Sequence, residues 1–269
     1  SYSSIAPVDR AAPALQTLSL IDNNTNGKVD RVTAVFSETL TTYTAGTAPW
    51  SLANVPSGGT LSSVSVSSAT ATLTLTEGAG ASDTTVGTMS VRLATSGTGV
   101  RDATGNLASF ADRSPLDRAK PTILSVSDTN GSADGRVEPG DTLTFTFTEP
   151  LDPGTVPSST SVVLTDPVGT GSDTLTLAGI LSGARSTGTN AHITLDSSSA
   201  TFAGSPVTLG PGGSTVTITV GAVCTGTGCA YIGQATSSTT LSLVPSATLA
   251  DPSANTGGTS ARTFGFRLF

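Results

Sequence analysis

The sequence predicts an all-β chain of two tandem β-sandwich domains, and three observations carry that prediction. Apolar and polar residues alternate strictly through short runs, breaks rich in Gly, Pro, Asn and Ser separate the runs, and one block of sequence returns about a hundred residues downstream. Strict alternation sends every second side chain to one face, which is what a strand with one buried face requires. No segment carries the 3.6-residue stripe of an amphipathic helix.

Taken in order, residues 61–75 read LSSVSVSSATATLTL, two alternating strands about a turn of small residues. Residues 142–147 read TLTFTF and residues 215–220 read TVTITV, each the length of one strand. PSGG, TSGTG, DPGTVP and GPGGS punctuate them, residue types that set turn geometry. Many short strands divided in this way point to a sandwich or barrel. The repeat decides the count. DRAAPALQTLSLIDNNTNGKVDRV, starting at Asp9, returns as DRAKPTILSVSDTNGSADGRVEPGD at Asp117. Pro13 aligns with Pro121, Ser19 with Ser127, Gly27 with Gly135 and Val29 with Val137, all at an offset of 108. After a short insertion VFSETL aligns with FTEPL, pairing Glu38 with Glu149. The expected domains are residues 1–113 and 114–269, with the extra length of the second in loops between Asp166 and Gly213.

Composition excludes several functions. Two lysines and ten scattered arginines in a chain of net charge −7 cannot form the clustered basic surface that a phosphate backbone needs. No apolar run approaches the roughly 20 residues of a membrane helix. SYSSIAPVDR at the start lacks a charged-then-apolar targeting pattern. The single histidine, His192 in NAHITLD, is expected on one face of a strand, at the surface or hydrogen-bonded, rather than serving as a catalytic base. One tryptophan and three tyrosines are too few to line a sugar-cleaving cleft, and Trp50 is expected to pack in the core or a loop. The chain is therefore read as non-enzymatic. Cys224 and Cys229, five positions apart in VCTGTGCAYI, are too few with one histidine for a zinc site, and are expected to form a local disulfide.

The D-x-x-A/K-P opening, the Asp/Asn/Gly loop, the strand ending in F-[ST]-E and the closing RDATGNLASF (Asp102, Gly105, Asn106) resemble bacterial immunoglobulin-like domains. Such domains occur in S-layer proteins, large adhesins and other secreted surface proteins. In the second unit LADPSANTGG offers Asp251 and Asn255 without the Gly-Asn pair. The resemblance implies two tandem immunoglobulin-like sandwiches in a secreted or cell-surface protein of structural or adhesive role, a stalk, S-layer or filament-type module. Its implied partners are other copies of itself, other surface proteins, or a glycan or host ligand. The alternative is a carbohydrate- or protein-binding accessory region of a larger secreted enzyme. Members of this class also link a lysine to an asparagine beside a buried acid, which directs attention to Lys120, Glu149 and Asn255.

The sharpest local signal is Asp22-Asn23-Asn24-Thr25-Asn26-Gly27-Lys28-Val29-Asp30, which resembles the first nine positions of a calcium-binding EF-hand loop. Alternate side chains of a tightly wound loop converge on one centre. Asp22, Asn24, Asn26 and Asp30 would supply side-chain oxygens and Lys28 its carbonyl; Thr33 stands where a bidentate Glu is expected. The equivalent second loop offers Asn130, Ser132, Asp134, Glu138 and Asp141. The competing reading for both is an Asx-rich turn bonding its own backbone. A further calcium arrangement gathers Glu38 with Asp102, Asp112 and Asp117, alongside Glu149 at the equivalent strand end. The closing ARTFGFRLF is expected to be the last strand of the second sandwich, the other reading being a strand donated to a neighbour.

Overall fold

The protein, described here by a computed structural model, is characterised over residues 8–131, 135–169, 172–188, 192–236 and 238–269. Among these there is no α-helix; eighteen strands and two short 3₁₀ turns make up the regular structure. The chain divides into two compact units, one running through Asn24 and over Lys28–Ala119, the other comprising Thr25–Gly27 and Lys120–Phe269.

The first unit holds β1 (Leu15–Ile21), β2 (Arg31–Phe36), β3 (Trp50–Ala53), β4 (Thr60–Ser67), β5 (Thr70–Thr76), β6 (Ser90–Leu93), β7 (Phe110–Arg113) and β8 (Leu116–Asp117). They form a five-stranded sheet in the order β4-β5-β2-β1-β8 and a three-stranded sheet β3-β6-β7. In β2 the alternation of RVTAVF becomes alternating burial, with Val32, Ala34 and Phe36 inside. Leu20, Val32 and Leu73 from the larger sheet share one cluster with Trp50, Val91 and Leu93 from the smaller. Two sheets thus close on one dry core. Trp50 packs in it as expected, edge-on to Phe110 at 5.8 Å between ring centroids. The β4–β5 hairpin turns over Ser68 and Ala69, with Ser68 at a φ of 52°. Residues 114–119, read from sequence as the start of the second unit, lie in the first, because β8 pairs in parallel with Ser19 and Leu20 of β1.

The second unit holds β9 (Ile123–Thr129), β10 (Thr142–Phe147), β11 (Ser159–Asp166), β12 (Thr174–Leu177), β13 (Arg185–Ser186), β14 (Ser198–Leu209), β15 (Thr215–Thr219), β16 (Cys224–Thr225), β17 (Thr239–Leu243) and β18 (Arg262–Phe266). The extra length expected in loops forms strands instead. TLTL of β12 alternates as strictly as any strand in the chain, and both it and β13 extend the sheet β13-β12-β11-β14-β15-β10-β9. The twelve-residue β14 pairs with β11 up to Pro206 and with β15 over Val207–Leu209. Gly204, at a φ of +65°, supplies the left-handed residue just before this change of partner. Phe145, Leu164, Phe202 and Ile218 fill the core. ARTFGFRLF is the closing strand: β18 pairs with β17, and Leu268 and Phe269 are buried. Cys224 and Cys229 are bonded, with Cα atoms 5.9 Å apart, which ties β16 to the 3₁₀ turn Thr227–Tyr231, while Cys224 pairs with Phe202 of β14.

Candidate metal site

The functional geometry of the first unit gathers where its opening segment, the end of β2 and its closing turn meet. Residues 101–107 form a tight turn closed by a bridge between Arg101 and Leu107. Asp102 organises it. Its Oδ1 accepts the N–H groups of Thr104 (2.9 Å) and Asn106 (2.8 Å), and its Oδ2 accepts the Thr104 hydroxyl (2.8 Å) and the Asn106 amide (2.7 Å). The same Asn106 amide donates to the Asp9 carbonyl at 3.4 Å, tying the opening segment to the turn. Ser37, next to Glu38, exchanges two bonds with Ala14: Ala14 N–H to Ser37 Oγ at 2.9 Å, and Ser37 N–H to the Ala14 carbonyl at 2.8 Å. These ties bring one carboxylate oxygen each of Asp9, Glu38 and Asp102 within 4.8 Å of one another.

Three carboxylates at that separation repel. Partial desolvation, then the charges of Asp102 and Asp9, hold the Glu38 carboxyl above the usual carboxylate range. Desolvation pushes Asp102 upward too, but its bonds from Asn106 and Thr104 outweigh this and keep it below that range. The group is a hard-oxygen cluster of the kind Ca²⁺ accepts. Glu38 and Asp102 were expected to meet; Asp112 is instead on β7, and Asp9 takes the third place. Asp9 was legible as the first residue of the repeat, aligned with Asp117, yet only the closing turn shows which acids it joins. Asp9 and Asp117 do share one local device: each accepts the N–H two residues on, from Ala11 and Ala119, at 3.0 Å.

The second unit builds the same clasp without the glycine. Asn255 donates its N–H to Asp251 Oδ1 and its amide to Asp251 Oδ2, both at 2.8 Å, and a bridge joins Ala250 to Thr256. Ala254 stands at a φ of +64° where Gly105 stands at +90°. A left-handed alanine is strained, and Ala254 is exposed. Ala254→Gly is expected to stabilise the second unit by about 0.5 kcal/mol, the strain relieved less the added freedom of the unfolded chain, read by denaturant midpoint.

The two Asx-rich loops are held by contacts within the protein. Asp22 is buried, Asp30 Oδ1 accepts the Asn23 N–H at 3.1 Å, Asn24 donates to Glu77 at 2.7 Å and Lys28 Nζ to the Gly78 carbonyl at 2.7 Å. Asn26 is half-buried beside Gly27, whose φ is +90°. In the second loop Asp141 is buried and its two oxygens accept the N–H groups of Gly131 (2.8 Å) and Glu138 (2.7 Å), while Asn130 is exposed. Ser132 and Asp134 lie outside the described residues. Asp141 to Glu138 spans three positions and Asp30 to Asn23 seven, so these bonds reach across each loop rather than making the bond to the N–H two residues on that defines an Asx turn.

His192 departs from expectation. It is fully buried, outside any named strand, with neither ring nitrogen hydrogen-bonded among the described residues, and its ring meets Phe269 edge-on at 6.4 Å. Only its neighbour Ile193 bridges, to Ile232, so alternation over NAHITLD misplaced the side chain. Burial lowers its pKa from 6.5 to about 4. Lys120 is exposed, whereas Glu149 and Asn255 are buried, and the Asn255 amide is committed to Asp251; a buried lysine–asparagine link is not prepared here. No helix among the described residues is long and apolar enough to cross a membrane. No protein-family model, curated protein or solved structure matches this chain.

Proposed function

We propose that the chain is an extracellular structural or adhesive element, two immunoglobulin-like modules of a stalk, filament or surface lattice. The observation that supports this most is the reuse of one construction: a strand running into Glu and a closing Asp–Asn clasp, built in each of two units with its own core. Repetition of a self-contained sandwich adds length and stiffness without chemistry. The disulfide fits an oxidising compartment. Antibody labelling of intact producing cells tests the reading. Surface signal is expected; signal only after permeabilisation overturns it.

Calcium is the ion this reading calls on, at Asp9, Glu38 and Asp102, with the loops from Asp22 and Asn130 as the other candidates. A cation would relieve the repulsion from Asp102 and Asp9 that adds to desolvation in raising the Glu38 carboxyl. Melting with calcium against chelator is expected to differ. A site bound at a hundredfold excess over Kd stabilises by about 2.7 kcal/mol, and Glu38→Gln should remove that gain if the cluster is the site. Superimposable melts remove calcium from the reading and leave the modules.

A further inference from the structure

We propose that β4 is a self-association edge, through which the first unit of one copy pairs antiparallel with β4 of a second copy. The proposal deepens the reading above by naming the surface through which copies would meet. β4 lies at the end of the five-stranded sheet, hydrogen-bonded to β5 on one side and with no strand partner on the other among the described residues. An open edge is a row of main-chain donors and acceptors that natural sheets guard with lysine, proline or an inward charge. TLSSVSVS has none of these, and its one bulge, the other common guard, lies between Leu61 and Ser63 and spares the regular stretch to Ser67. The neutrality is wide: no Asp, Glu, Lys or Arg occurs between Glu38 and Glu77, in a chain of net charge −7. Two such chains carry like net charge, and pairing along this edge brings no charged side chain of β4 into the contact.

The register follows from the hairpin. Ser67 and Thr70 flank its two-residue turn and form the hydrogen-bonded pair next to it. Alternation then points the main-chain groups of Ser65 and Ser67 toward β5, and those of Val64 and Val66 outward. A bulge between Leu61 and Ser63 ends the regular stretch, so pairing centres on Ser65. About a two-fold axis there, Val64 of each copy exchanges both main-chain bonds with Val66 of the other. Ser65 faces its own counterpart as a non-hydrogen-bonded pair, with Cα atoms about 4.5 Å apart. The exposed serine side chains are small enough to allow that approach, while Val64 and Val66 stay packed against their own core. One strand pair buries less than a standard interface, so association should be weak in solution and gain strength where many copies are tethered.

Sedimentation of the whole chain is expected to show a concentration-dependent dimer. Ser65→Lys places two like charges opposite each other, and Val64→Pro removes an outward donor without touching the β5 ladder. Both should shift dissociation at least tenfold; Ser65→Lys, on the exposed face, should leave the melting temperature of the first unit unchanged, whereas Val64→Pro also gives up packing on the core and should lower it. As a check that needs no loss of function, Ser65→Cys should form a disulfide-linked dimer with diamide. The native cysteines are already bonded to each other, and Ser51→Cys, exposed on β3, should stay monomeric. A monomer up to about 1 mM, or a dimer that all three β4 variants leave unchanged, overturns the proposal. Neither outcome touches the surface labelling, so the functional reading stands or falls separately.

Discussion

Acidification from pH 7 to below 4 is expected to strip about 3 kcal/mol from the second unit through His192 alone. The figure is the gap between 6.5 in the unfolded chain and about 4 in the fold, at about 1.4 kcal/mol for each pH unit between them. The sign follows from proton uptake. Between those values the unfolded chain holds a proton that the fold refuses, so stability falls as pH falls. It is fully present above about 6.5, lost progressively toward 4, and constant below. Burial is the cause: the ring is enclosed against Phe269 with no partner for either nitrogen among the described residues. Asp173 works the other way. Burial raises its carboxyl, opposed by the Ile193 N–H and aided by the charge of Asp166, so the fold takes up that proton first and gains as pH falls. Asp128, also raised by burial, acts in the same direction. Subtracting a variant isolates the histidine. His192→Leu should flatten the slope between pH 6.5 and 4, and raise stability at pH 7 by removing two unsatisfied buried groups. An unchanged slope in urea midpoints across that range would show the imidazole to be solvated.

Phe145→Ala and Leu73→Ala are expected to unfold different halves of the molecule. Phe145 is fully buried in the second core and Leu73 in the first, and the two cores are separate clusters. Removing the ring should cost about 3–5 kcal/mol and removing the leucine about 2–5 kcal/mol. Each loss should appear in one calorimetric transition while the other holds its temperature. If both variants shift a single transition together, the units do not fold independently, and modular reuse loses its energetic basis.

The strands were legible because alternation is a local property. TLTFTF is β10 residue for residue, and the small-residue turn in residues 61–75 divides β4 from β5. The same alternation runs on between Asp166 and Gly213, where β12, β13 and β14 occupy what the extra length alone suggests are loops. It misplaces His192, since alternation fixes a face only for a residue inside a ladder. The closing turn of the second unit shows the opposite case. Its sequence lacks the Gly-Asn pair, yet Ala254 takes the left-handed conformation that Gly105 takes in the first unit, between the bonded Asp251 and Asn255.

By itself the sequence determined an all-β chain with one construction used twice and a bonded cysteine pair, because periodicity, turn chemistry and a fixed offset are written along the chain. Tertiary structure alone decided which acids meet, how deeply His192 is buried and that β4 is left as an open edge. Those depend on residues such as Asp9, Glu38 and Asp102, separated by scores of positions. Their approach is set by which strands pair and where the turns close, and no local pattern encodes that.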